Sequence, residues 1–121
     1  MNGRVLLDTN AIINALNRGI VLPSGKYAIS IITEMELFSF PKLTQNERRE
    51  IERLLDYFEV INISQAIKEQ AIAIRRQHRI KLPDSIICAT AIEWKSAIVS
   101  DDKQLAQISN LDMLSLEQFL P

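Results

Sequence analysis

Short apolar, β-rich runs alternate with segments of helical periodicity along the chain, and this alternation limits the fold more than any other feature. Residues 4–8 (RVLLD) read as a short buried strand, after which Ile12, Ile13 and Leu16 recur at helical spacing until Gly19. Residues 26–32 (KYAISII) are β-branched and apolar and predict a second strand; Thr33 then opens a short helix that carries Glu36 and closes at Pro41. Thr44 and Glu47 form a capping box before a helix with Ile51, Leu54, Leu55 and Phe58 on one face. A third strand is expected at 59–63, and Ser64 caps a long helix to about residue 80. Leu82-Pro83-Asp84 starts another helix, with Ile86, Ile87, Thr90 and Ala91 along one face. Residues 97–100 form a fourth strand, 103–109 a short helix and 112–114 a brief strand; Ser115 and Gln118 then offer a capping box for a last helical turn.

Strands that alternate with helices predict an α/β fold, a parallel sheet with helices on both faces. A chain of 121 residues suits one domain, here 1–121, and it contains no internal repeat, low-complexity tract or linker. With 47% hydrophobic and 24% charged residues, the composition is that of a globular protein and excludes a disordered tail. No apolar run approaches the roughly 20 residues that span a bilayer. Met1-Asn2-Gly3-Arg4 leads straight into the first strand without a signal peptide's apolar stretch. The single Cys88 excludes an intrachain disulfide, so the cytoplasm is the expected compartment.

In an open α/β sheet, ligands bind outside the carboxyl ends of the strands. Asp8 falls at such an end, with Thr9 and Asn10 beside it; Glu36 lies one helical turn beyond the second strand; Asp101 and Asp102 follow the fourth, just after Ser100. Asp84 begins a helix after a basic segment. Each acid also has a purely structural use: Asp8 and Asp101 or Asp102 as N-caps, Glu36 in a capping box with Thr33, Asp84 as a complement to a helix dipole. Their combination asks for more if strands one, two and four are neighbours. Two carboxylates about 4 Å apart repel by roughly 4 kcal/mol at an effective dielectric near 20, whereas a helix dipole offsets about 0.3–1 kcal/mol. A cluster of four therefore needs protons or cations. Magnesium suits carboxylates that leave room for water and phosphate oxygens, and the scarcity of Cys and His argues against zinc. The net charge of −1 argues weakly against gripping nucleic acid by bulk positive charge, but cations bound at such a cluster reverse the sign locally.

The segment Val5-Leu6-Leu7-Asp8-Thr9-Asn10 resembles the opening motif of PIN domains. Ile29–Thr33 followed by Glu36-Leu37 resembles their second motif, Leu82–Ile87 running on to Ala89-Thr90-Ala91 their third, and Ser100-Asp101-Asp102-Lys103 their fourth. The motifs appear in order over nearly the whole chain, whose size resembles the VapC-type toxins of toxin–antitoxin pairs. The resemblance implies a three-layer α/β/α sandwich with about five parallel strands, Mg²⁺- or Mn²⁺-dependent cleavage of RNA, a homodimer and a cognate antitoxin protein. It implies Asp8, Glu36, Asp84 and Asp102 as the catalytic tetrad and Asn10, Ser100 and Asp101 as supporting polar groups. Asp8 and Asp84 would bind metal directly, Asp102 directly or through water; Glu36 would act through water or orient the nucleophile. The chain departs from the common pattern in the extra acid Glu34, in lacking a glycine after the helix carrying Glu36, in Ser100 where Thr is commoner, and in its doubled acid, which leaves Asp101 and Asp102 as alternatives.

Arg75, Arg76, Arg79 and Lys81 crowd the segment before Asp84 and could hold RNA phosphates, or could offset the dipole at a helix C-terminus. His78 among them reads as a surface residue, and Cys88 and Trp94 as core. Leu37, Phe38 and Phe40 read as core packing, with a groove for a partner helix as the alternative. The competing functional readings are a catalytically silent binding module, a phosphoacceptor signalling domain and a nuclease that cuts DNA. The phosphoacceptor reading lacks an acidic pair at the first strand, where Val5, Leu6 and Leu7 precede Asp8.

Overall fold

The computed structural model describes residues 3–120, so Met1, Asn2 and Pro121, the ends of the expected domain, lie outside the described residues. The elements follow the order β1 (Arg4–Leu7), α1 (Thr9–Asn17), β2 (Lys26–Ser30), α2 (Ile31–Phe38), α3 (Gln45–Leu55), β3 (Phe58–Ile61), α4 (Gln65–Gln77), α5 (Leu82–Glu93), β4 (Ala97–Val99), the 3₁₀ helix η1 (Lys103–Gln107), β5 (Met113–Leu114) and α6 (Leu116–Phe119). The five strands form one parallel sheet in the order β3-β2-β1-β4-β5. Strand β1 is central, with Leu6 beside Ala28 of β2 and Ile98 of β4.

Successive residues of a strand point to opposite faces, so the sheet serves two cores. Leu6, Ala28 and Ile98 pack with Ile67, Ala71 and Ile74 of α4 and Ile87, Cys88 and Ala91 of α5. Leu7, Ile29 and Val99 pack on the other side with Ile12 of α1, Leu37 of α2, Ile51 of α3 and Leu116 of α6. The result is the expected α/β/α sandwich. No helix among the described residues is long and apolar enough to cross a membrane.

Most element ends match their sequence signals. The capping boxes Thr44/Glu47 and Ser115/Gln118 both form, and Ser64 caps α4. Gly19 adopts φ +62 just past α1, a left-handed conformation that closes the helix without a Cβ penalty. Helix α4 stops at Gln77, about three residues before its expected end.

Two expectations are corrected. The β-branched pair Ile31-Ile32 does not continue β2; Ser30 caps a helix starting at Ile31, its Oγ accepting from the Ile32 N–H at 3.0 Å. Thr33 is therefore inside α2 and fully buried, and forms no capping box with Glu36. Ile32 packs against the α4–α5 core from its helical position, so tertiary burial overrides its strand propensity. The second correction concerns α5, which has no single apolar face: Ser85 and every residue from Ile87 to Ala91 are buried, between α4 on one side and β2 and β4 on the other. Small Ala89, Ala91 and Cys88 permit that close approach.

Candidate acidic active site

The chain runs from β1 outward through β2 to β3, then returns to the other side of β1 for β4 and β5. The strand order thus reverses between β1 and β4, and the carboxyl ends of those two strands open the crevice where ligands bind in such sheets. A cleft of about 530 Å³ lies there, lined by Asp8, Thr9, Asn10, Ile13, Glu36, Ser39, Phe40, Lys81, Asp84, Ile87 and Asp102. The structure thus brings all four acids of the expected tetrad to one cleft.

Asp8 both caps a helix and faces this cleft. Its Oδ1 accepts from the Ala11 N–H at 2.8 Å, which satisfies an orphan donor at the start of α1. The residue is only 7% exposed. Burial raises its pKa above the ordinary carboxylate value; hydrogen bonds from the Ser100 hydroxyl and the Ala11 amide oppose this, and the negative charges of Asp84 and Asp102 reinforce it. Ser100 is fully buried and also accepts from the Asp102 N–H at 3.1 Å, so one hydroxyl ties the ends of β1 and β4 together.

Asp102 lines the cleft and caps η1, its Oδ1 accepting from the Gln104 N–H at 3.0 Å. Asp101 turns the other way: its Oδ1 accepts from the Leu116 N–H at 3.2 Å, at the start of α6. The doubled acid is thus divided between the cleft and a helix cap.

Asp84 enters from the first turn of α5 and is partly buried. Desolvation raises its pKa; Asp102 and Glu36 raise it further, and Lys81 counteracts them. Glu36 is exposed and held from α1: the Thr9 hydroxyl lies 2.6 Å from Glu36 Oε1 and 3.1 Å from Thr33 Oγ1. In the sequence Thr9 stands beside Asp8 and Thr33 reads as a cap, both inside motifs that resemble those of PIN domains, with no role of their own assigned. No local signal marks their contact, which depends on α1 packing against α2.

The remaining expected residues are dispersed. Asn10 lines the cleft. Of the basic segment only Lys81 does; Arg76 and Arg79 are exposed and outside its lining, and the Arg75 Nε–H donates to the Ile80 carbonyl at 3.2 Å, bracing the turn before α5. His78 contacts Gln107 on η1 and is outside the cleft lining. Phe40 departs from its expected core role: Leu37 is fully buried and Phe38 packs under Arg48, but Phe40 is 47% exposed at the rim of the cleft. Cys88 lies beneath the cluster, where burial first and the charges of Asp84, Asp8 and Asp102 next push its thiol up to about 12. It is therefore an uncharged packing group.

All these donors are hard carboxylate oxygens, and among the described residues no basic side chain forms an ion pair with any of the four acids. No group of three or more His, Cys, Asp or Glu side chains among the described residues is arranged to hold one metal ion. A magnesium ion does not require such a cage, since it is held by one or two carboxylates with waters and substrate phosphates completing its shell. The donor set fits a hard divalent cation on those terms.

Fold and cleft define a class: an α/β domain that gathers acids at the carboxyl ends of a parallel sheet. The family model of the PIN domain matches residues 5–111, and the chain belongs to that family. Its fold is similar to a chain of a toxin–antitoxin complex from Klebsiella pneumoniae, with 30% identity, TM-score 0.75, and coverage of 93% of this chain and 97% of that one. It is also similar to chains of VapBC2 from Rickettsia felis (20% identity, TM-score 0.78, 93% and 98% coverage) and VapBC-1 from nontypeable Haemophilus influenzae (21%, 0.76, 94% and 98%). Comparison with curated protein sequences finds no match.

Proposed function

We propose that this PIN domain is a divalent-metal-dependent endoribonuclease and the toxin component of a toxin–antitoxin pair. One observation carries the reading: Asp8, Glu36, Asp84 and Asp102 line a single cleft at the switch point of the sheet, with no basic side chain among the described residues ion-paired to them. The family supplies its context, as does the similarity to a toxin–antitoxin complex. Asp8 and Asp84 would hold Mg²⁺ or Mn²⁺ directly and Asp102 directly or through water; the ion when bound lowers the pKa of a water and stabilises the leaving oxygen of a phosphodiester. Glu36 would orient the attacking water with its exposed carboxylate and accept its proton. Ser100 keeps Asp8 and Asp102 in register, and Lys81, which lines the cleft, would meet a substrate phosphate. The same reading has a cognate antitoxin and a second copy of the chain as partners.

The test is cleavage of single-stranded RNA by the purified chain with millimolar Mg²⁺ or Mn²⁺. Chelation should abolish the activity, and Asp84→Asn should lower it by about 10²–10⁴-fold without unfolding the protein. Undiminished cleavage by Asp84→Asn would overturn the assignment. Absence of both cleavage and metal-induced stabilisation in the wild type would leave a catalytically silent binding module.

A further inference from the structure

We infer that Thr9 is a positioning residue for Glu36, and that the Glu36 carboxylate, by taking the Thr9 proton, makes the buried Thr33 hydroxyl the donor in its contact with Thr9. The inference rests on the nuclease reading for its kinetic consequence alone; its geometric part can be measured without activity.

The proton order follows from counting donors. An ionised carboxylate only accepts, and the Thr9 hydroxyl has one proton, so the 2.6 Å contact commits that proton to Glu36 Oε1. The 3.1 Å contact between Thr9 Oγ1 and Thr33 Oγ1 must then be donated by Thr33. Thr33 is fully buried, and this contact satisfies its hydroxyl among the described residues. In the order Thr33→Thr9→Glu36 each of the two hydroxyl protons has one acceptor.

The consequence falls on the one exposed acid of the cleft. A glutamate on the surface of a helix samples several rotamers, and fixing it sacrifices side-chain entropy. A short hydrogen bond to a charged oxygen opposes that loss. With Oε1 held by Thr9, only Oε2 remains without a protein partner among the described residues, so a single oxygen of Glu36 is left for chemistry. Asp8, Asp84 and Asp102 need no such device, since each is buried or partly buried.

Thr9→Val keeps the shape and removes the hydroxyl; Thr9→Ser keeps the hydroxyl. On a fluorophore–quencher oligoribonucleotide of mixed sequence with Mn²⁺, Thr9→Val should lower kcat by about 10- to 100-fold with KM within about twofold, and Thr9→Ser should restore kcat to within about threefold. Thr33→Val should lower kcat less, by about 3- to 10-fold, and add nothing further in the Thr9→Val background, because both residues act through one hydrogen bond. Crystal structures of the metal-free proteins should show one Glu36 rotamer in the wild type and several in Thr9→Val. A Thr9→Val enzyme with wild-type kcat, a Thr33→Val loss that multiplies that of Thr9→Val, or an unchanged Glu36 rotamer would overturn the inference and leave the nuclease reading standing. A wild type without metal-dependent cleavage would instead remove that reading, and the rotamer comparison alone would then decide the role of Thr9.

Discussion

Asp8 shows how one side chain satisfies a structural and a chemical demand together. Its cap on α1 uses one oxygen, while burial and the charges of Asp84 and Asp102 favour its protonated form. The folded protein therefore binds a proton at Asp8 more tightly than the unfolded chain does. Stability from this group is fully present below the ordinary value of 3.8 and is lost as pH rises through the raised folded value; Asp84 acts with the same sign. Without divalent ions, the wild-type melting temperature should fall as pH rises from about 4 toward 7, and Asp8→Asn should flatten that slope. Asparagine keeps the cap and alanine loses it, so Asp8→Ala should be less stable than Asp8→Asn by about 1 kcal/mol, read from urea unfolding at pH 7. Both should be inactive. An Asp8→Asn protein with the wild-type pH slope would show that this buried charge does not limit stability.

Among the elements, helix ends decide which acid does what. The start of α6 takes Asp101, whereas η1 takes Asp102 and leaves it facing the cleft. Asp101→Ala should cost about 0.5–1 kcal/mol of stability and keep RNA cleavage within about threefold, whereas Asp102→Ala should abolish cleavage. Thermal unfolding and RNA cleavage measured on both proteins would check this; the reverse pattern would assign the doubled acid wrongly. The start of α2 carries a related lesson. Ile31-Ile32 favours a strand locally, but at the exit of β2 a cap by Ser30 and a buried place for Ile32 outweigh that preference.

On the scale of the whole molecule, the crevice holds Asp8 and Asp84 with raised pKa values, so their ionised forms oppose folding near neutral pH, and a bound cation should reverse that. At a concentration 100 times its dissociation constant, Mn²⁺ should add about 2.7 kcal/mol to unfolding, a rise of roughly 10 °C in melting temperature. Asp8→Asn should show little of that rise. Scanning calorimetry with and without Mn²⁺ measures both, and a wild type insensitive to Mn²⁺ would contradict the cation site.

Sheet and helices were legible in the chain because periodicity, capping residues and helix-stop glycine act over a few residues, as at Thr44/Glu47, Ser64 and Gly19. Asp8, Asp84 and Asp102 could be named for the same reason, since each sits at a recognisable strand or helix end; Glu36, inside α2, was named through the resemblance to the PIN motifs. Which oxygens meet was a different matter. The division of Asp101 from Asp102, the contact of Thr9 with Glu36 and Thr33, and the exposure of Phe40 depend on how β1 seats between β2 and β4 and how α1 lies against α2. Hydrogen bonds and charge repulsion act over a few ångströms of space, so they took effect only after packing had joined stretches of chain that lie far apart in sequence.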